Sequence, residues 1–187
     1  MVRLGFYRSI CRRLEFSGAI ATGLFLALAT VATAAPVSAA AIHIVAIGAS
    51  TTAGKRVGLD NAYPAQLEAM LRAKGYDVTI SNAGVSGATS ASMIGWADAV
   101  APDTKLVLLQ IAYSNDSKHG ITAAQTAANR DLIVAQLRTR KIKVIFVDRH
   151  VPSTEIAMDG RHPDANGQRT IAARLLPQVM AAIGSRR

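Results

Sequence analysis

Near the carboxyl end the chain reads Asp159-Gly160-Arg161-His162-Pro163-Asp164, a carboxylate three residues before an imidazole on a stretch too rich in glycine and proline for a helix interior. A neutral imidazole accepts a proton near neutral pH. A carboxylate held against its other nitrogen fixes the tautomer and stabilises the imidazolium that forms. The pair then needs a nucleophile. Far upstream, Ile44-Val45-Ala46-Ile47-Gly48-Ala49-Ser50 is an apolar run ending in glycine and then serine, as a strand delivering a hydroxyl into a turn would. Hydroxyl, imidazole and carboxylate together could cleave an ester.

The first 39 of the 187 residues carry a different signature. Arg3, Arg8, Arg12 and Arg13 precede an apolar run from about Gly18 to Val31, and small residues follow, with Val37-Ser38-Ala39 as a cleavage site of the A-x-A type. This is the pattern of a secretory signal peptide of the bacterial type, and the run is short for a membrane span of ~20 residues. Arg12-Arg13 hints at twin-arginine export, but Glu15 stands where that signal favours an apolar residue. Cleavage after Ala39 predicts a periplasmic or secreted protein whose residues 40–187 form one domain. The only cysteine, Cys11, leaves with the signal, so no disulfide and no catalytic thiol is expected. Serine or threonine remains as nucleophile.

Removing the four arginines and Glu15 from the formal charge of +9 leaves +6. A moderately basic exported domain could associate weakly with anionic membrane surfaces. Arg138, Arg140, Lys141 and Lys143 cluster where a helix should end, where cations complement its dipole. No aromatic residues interleave with these charges, which argues against a nucleic-acid platform.

The elements that must position the reacting groups alternate along the chain. Apolar runs of strand length occupy Ile42–Ile47, Val78–Ile80, Leu106–Ile111 and Ile142–Val147, with helix-like stretches between them. This predicts an α/β fold, a parallel sheet of four to five strands covered by helices on both faces. Helices are expected over Ala62–Lys74, with Leu67, Met70 and Leu71 inward and Gly75 as stop, over Ala91–Val100, over Thr122–Arg140, and over Ala165–Ile183. In the third, Thr122 should be the N-cap and Leu132, Ile133, Ala135 and Leu137 should face inward. Asp148 to Met158 reads as one loop, leaving no room for a helix and a fifth strand.

In an open parallel sheet, ligands bind beyond the carboxyl ends of the strands. After the first strand comes Gly48-Ala49-Ser50-Thr51-Thr52-Ala53-Gly54, after the second Asn82-Ala83-Gly84-Val85-Ser86-Gly87-Ala88-Thr89, after the third Tyr113-Ser114-Asn115-Asp116, and after the fourth Asp159 and His162. These four blocks, in this order, resemble the SGNH hydrolases, the subgroup of the GDSL esterase and lipase family that includes the periplasmic thioesterase I/lysophospholipase. The resemblance covers essentially all of residues 40–187. It implies the three-layer, flavodoxin-like fold of that family and hydrolysis of carboxylic esters or thioesters through an acyl-enzyme. It also implies roles: Ser50 attacks, His162 moves the proton, and Asp159 orients His162. The N–H groups of Ser50 and Gly87 and the side-chain amide of Asn115 would stabilise the oxyanion. The substrate would be a small ester or thioester, or an acylated lipid or polysaccharide, with no cofactor. Two positions depart from the family pattern: Ala49 stands where Asp usually precedes the serine, and Tyr113 where Gly usually lies two residues before the Asn. A polysaccharide deacetylase and a catalytically silent binding module are the alternatives on the same residues.

Other chemistries fit less well. Five residues separate Gly48 from Gly54, one more than a phosphate loop has, and Arg56 stands where Ser or Thr would meet magnesium. His119, His150, Asp159 and His162 contain no ligand pair at the helical i, i+4 spacing, so no metal is expected. Met93 and Trp96 read as core residues. Few bulky residues are available to line a deep acyl tunnel, which favours short acyl groups.

Overall fold

The structure is a computed structural model that describes residues 41–185; the expected signal segment lies outside the described residues. Strands β1 (Ile42–Gly48), β2 (Val78–Gly84), β3 (Leu106–Leu109) and β4 (Lys143–Phe146) form one four-stranded sheet in the order β2-β1-β3-β4, with every neighbouring pair parallel. Helices α1 (Tyr63–Ala73) and α5 (Ala165–Ile183) pack together in one outer layer, α2 (Ser90–Asp98) and α4 (Ala123–Thr139) in the other, and the short α3 (Tyr113–Lys118) follows β3. The expected three-layer α/β architecture is therefore the observed one, with the lower of the two strand counts.

The period of two along a strand builds two separate cores. Ile44 and Ala46 of β1, with Leu106 and Leu108 of β3, meet Leu67 and Leu71 of α1 and Ile171 and Leu175 of α5. Their neighbours Val45, Ile47, Val107 and Leu109 point the other way, onto Met93 of α2 and Ile133 and Leu137 of α4. Successive Cβ atoms leave opposite faces of a strand, so a central strand covered on both sides must be apolar throughout. Each fully buried Leu or Ile contributes about 1.5–3 kcal/mol of transfer free energy. Met93 is fully buried and Trp96 packs half-buried against the same core, as expected.

Several boundaries differ from the sequence expectation, each for an identifiable reason. β2 runs on to Gly84, placing Asn82, Ala83 and Gly84 in the strand and not in a loop, because an edge strand tolerates the outward Thr79 and Ser81 that break its apolar run. β3 ends at Leu109, four residues before Tyr113. Tyr113 to Asp116 are not a loop but the first residues of α3. In α4, Leu132 and Ala135 are exposed, and Val134 is buried beside Ile133 and Leu137. The inward face holds Thr126, Ile133, Val134 and Leu137, whose separations of seven, eight and eleven residues follow the helical repeat from Thr126. Leu132 falls one residue short of that face. Thr122 caps α4 as expected: its Oγ1 accepts from the Gln125 N–H at 3.2 Å, and the Thr122 N–H donates to Gln125 Oε1 at 2.9 Å.

The stretch after β4 contains no fifth strand among the described residues. It is nevertheless more ordered than a simple loop, with a 3₁₀ turn at Ser153–Glu155 and an isolated antiparallel bridge pairing Ile156 with Pro163. Ala157 N–H donates to His162 O at 2.8 Å and Asp164 N–H to Glu155 O at 2.9 Å. The pinched turn between them carries Asp159 and His162.

Candidate active site

Ser50 leaves β1 on a compact turn in which Ala53 N–H donates to Ala49 O and Lys55 N–H to Ser50 O, both at 2.9 Å. Where the family pattern has Asp, Ala49 is buried, and its N–H is taken by Gln110 Oε1 at 3.1 Å. Gln110, just beyond β3, is itself fixed by donating Nε2 to Ile111 O at 2.9 Å. The turn is held from two further sides. Asn82 donates Nδ2 to Thr52 O at 2.7 Å from the end of β2, and Gln168, fully buried on α5, donates Nε2 to Thr51 O at 3.1 Å. Gly84 lies so close to Thr52 and Ala53 that a Cβ there would overlap their backbone. Thr51 and Thr52 are buried and Thr52 Oγ1 lies 3.2 Å from Tyr63 Oη, so Ser50 is the hydroxyl of this turn that faces the imidazole.

The pinched turn after β4 reaches this serine. His162 Nε2 lies 2.9 Å from Ser50 Oγ, and its Nδ1 lies 2.7 Å from Asp159 Oδ2. The carboxylate is further held by the N–H groups of Arg161 and His162, which donate to Oδ1 at 3.1 and 3.0 Å. Arg56 donates Nε to Oδ2 at 2.9 Å. The Arg56 hydrogen bond and then those from His162 hold the Asp159 carboxyl far below the usual carboxylate range. Arg56 itself has a φ of +80°, a left-handed backbone angle that costs a non-glycine residue free energy and that surrounding contacts must sustain. At its other end the turn runs into α5, whose N-cap Asp164 accepts from the Gly167 N–H at 2.8 Å.

The two expected oxyanion donors beyond Ser50 lie around the same cavity, a space of about 630 Å³ that also exposes Ser50 and His162. Gly87 has a φ of +88° and open space where a Cβ would stand. Among the described residues, the N–H groups of Ser50 and Gly87 donate to no protein acceptor. Asn115 donates one amide hydrogen to Ala88 O at 2.8 Å, which ties α3 to the Gly87 loop and leaves its second amide hydrogen available. Asp116, next in sequence, is buried and accepts from the Ser90 N–H at 2.7 Å and the Thr126 hydroxyl at 2.6 Å. It locks α3 to the start of α2 and to α4. Tyr113 stands exposed on the cavity's edge, with Ile111, Phe146 and Val147 as apolar lining.

Ser50, Asp159, His162, Gly87 and Asn115 are thus gathered at one end of the sheet. Four supporting residues were not apparent from the sequence: Arg56, Gln110, Asp116 and Gln168. Only Asp116 had a local signal, as the neighbour of Asn115. Among the described residues, no three His, Cys, Asp or Glu side chains are grouped to hold a metal ion.

This combination of fold and site has counterparts among known proteins. Residues 46–186 match the GDSL-like lipase/acylhydrolase family, and the chain belongs to it. The SGNH resemblance therefore holds, and the chain is a member of a hydrolase family. It is 29% identical over 115 residues to the esterase TesA of Pseudomonas aeruginosa, across 61% of this chain and 57% of that protein. The chain therefore matches little more than half the length of that relative. Among solved structures, a crystal structure of a protein called TesA superposes with a TM-score of 0.67 at 20% identity, covering 75% of this chain and 99% of that one. The psychrotrophic esterase EstA of Pseudoalteromonas gives 0.66 at 15% identity, covering 76% and 99%. AlinE4, an SGNH-hydrolase family esterase, gives 0.56 at 25% identity, covering 79% and 99%.

Proposed function

We propose that this protein is an exported serine esterase that hydrolyses carboxylic esters through an acyl-enzyme. One observation carries the reading: His162 spans Ser50 Oγ and Asp159 Oδ2 with its two ring nitrogens, at 2.9 and 2.7 Å. In the first step Ser50 Oγ bonds to the acyl carbon as its proton passes to His162 Nε2. The carbonyl oxygen becomes an oxyanion, for which the N–H groups of Ser50 and Gly87 and the free amide hydrogen of Asn115 are the donors. The acyl–oxygen bond then breaks and the proton on His162 goes to the leaving oxygen. Water repeats the sequence on the acyl-enzyme, giving the acid and restoring the Ser50 hydroxyl. Asp159, kept ionised at neutral pH by Arg56 and by the backbone N–H groups, holds Nδ1 protonated and stabilises the imidazolium.

Export is supported by the basic and apolar amino-terminal pattern of residues 1–39. Thioesters fit the same attack, since the leaving sulfur needs less help from an acid than an alkoxide does. The test is labelling with a fluorophosphonate probe together with turnover of para-nitrophenyl esters graded by acyl length. Labelling that is lost in Ser50→Ala, with turnover of the short esters, is the expected result. Neither labelling nor turnover would overturn the reading in favour of a silent binding module.

A further inference from the structure

Four permanent cations line the cavity beside Ser50: Lys55, Lys118, Arg149 and Arg161. They come from four separate segments. Lys55 closes the serine turn, Lys118 ends α3, Arg149 follows β4, and Arg161 precedes His162. No local run of basic residues accounts for them; the fold brings them together. None has a carboxylate within ion-pair distance among the described residues, whereas Arg56, Arg72, Arg130 and Arg174 each have one. Among the described residues, Arg149 donates only to the Arg161 carbonyl, at 3.3 Å. Among the described residues of the lining the single carboxylate, Asp148, is already engaged by His150 Nδ1 at 2.6 Å and Arg174 Nη1 at 3.1 Å. A cavity ringed by one sign of charge raises the local concentration of ions of the other sign.

We infer that the preferred substrate is an ester whose leaving group carries a carboxylate or phosphate. The inference rests on the serine-hydrolase reading and extends it to substrate class. His162 must return its proton to the leaving oxygen, so the leaving group lies on the side of the turn that carries His162. Arg161 is its neighbour in that turn, and Arg149 is bonded to the Arg161 carbonyl. When the acyl–oxygen bond breaks, the leaving oxygen takes the Ser50 proton from His162 and departs as an alcohol or phenol that still bears its anionic group. The acyl part, staying on Ser50, has the apolar lining of Ile111, Phe146 and Val147 within the same cavity.

The test compares acetyl esters that differ in leaving-group charge: para-acetoxybenzoate, its methyl ester, and para-acetoxyphenyl phosphate. The hemisuccinate of para-nitrophenol places the charge on the acyl side, against para-nitrophenyl acetate. Each kcat/KM is divided by that ester's own alkaline hydrolysis rate, so that intrinsic reactivity cancels. At low salt the two esters with anionic leaving groups should be favoured over the methyl ester by about tenfold or more. That ratio should shrink toward unity at about 0.5 M salt, where screening shortens the reach of charge. Arg149→Glu and Lys118→Glu, on different elements so that one misfolded variant does not decide the outcome, should each lower the ratio by about threefold or more. The relative rates of the carboxylate and phosphate esters identify which anion is preferred. Turnover with Ser50 labelling but no preference for anionic leaving groups would overturn this inference and leave the hydrolase reading standing. A preference confined to the hemisuccinate would overturn the assignment to the leaving group. Neither labelling nor turnover of any ester would overturn both readings together.

Discussion

Two Asp–His pairs stand close together in sequence after β4, and only one touches a hydroxyl. In Asp148–His150 the carboxylate lies 2.6 Å from Nδ1, and in Asp159–His162 it lies 2.7 Å away. Both carboxylates also meet an arginine, Arg174 in the first case and Arg56 in the second, and both are held below the usual carboxylate range. The difference is burial. The side chains of Asp159 and His162 are 15% and 9% exposed, those of Asp148 and His150 57% and 92%. His162 is packed with its second nitrogen on Ser50 Oγ, while His150 Nε2 has no hydrogen-bond partner among the described residues. A carboxylate–imidazole contact is therefore not by itself a site. The surrounding structure must also exclude water, hold the ring's orientation and supply the nucleophile.

The largest effects are expected at the serine and its imidazole. Ser50→Ala or His162→Ala should lower turnover by up to roughly 10⁶-fold if the three groups act as a unit, read as single-turnover rates with para-nitrophenyl acetate. Next, Asp159→Asn should cost about 10⁴-fold, because an amide neither fixes the needed tautomer nor stabilises the imidazolium. Asn115→Ala should lower kcat by about 10²–10³-fold, the usual consequence of losing one oxyanion donor, with a smaller change in KM. A KM-dominated loss would instead mean that Asn115 acts mainly by holding Ala88 and the Gly87 loop.

Arg56 acts through Asp159. Arg56→Ala should lower kcat/KM by about tenfold through misplacement of Asp159, with Arg56→Lys recovering part of it. It should also move the acid unfolding of the protein. A carboxylate whose folded pKa is depressed adds stability above its unfolded value of about 3.9, and that stability is lost as pH falls through the folded pKa. Removing Arg56 raises the folded value of Asp159, so melting temperature measured from about pH 6 to pH 2 should begin to fall at higher pH in the variant. An unchanged acid profile would exclude Arg56 as the main support of that carboxylate. The smallest effect belongs to the other pair: His150→Ala should lower kcat/KM by at most a few-fold, as expected for an exposed side chain. A loss comparable to that of His162→Ala would show that the exposed pair serves the reaction as well.

Much of the fold could be read from local pattern. The double core requires the positions of β1 and β3 that are covered on both sides to be apolar, and that run is visible in Ile44–Ile47 and Leu106–Leu109. Thr122 and Gly75 marked helix ends because their side-chain or backbone requirements are local. α4 was harder. Ile133 and Leu137 face inward as expected, but the exposed face carries alanines and Leu132, so residue type alone does not separate the buried Val134 from the exposed Leu132 and Ala135. The end of β2 was missed because an edge strand need not be apolar on its outer face.

The residues of the candidate site show the same division. Ser50, Gly87, Asn115, Asp159 and His162 could be named from the sequence because each follows a recognisable strand in a short, distinctive block. Their partners could not. Arg56 reaches Asp159, Gln110 reaches Ala49 and Gln168 reaches Thr51 across sequence separations of 103, 61 and 117 residues. Nothing local marks these side chains as different from ordinary polar surface residues. The order of strands and helices and the chemical groups at the strand ends are legible in local sequence, because propensity, patterning and turn chemistry act over a few residues. Packing of the whole domain selects which of the two Asp–His pairs after β4 meets Ser50, which side chain takes up the Ala49 N–H, and which cations share the cavity. Those outcomes depend on how the parallel sheet and its flanking helices bring distant segments to one end.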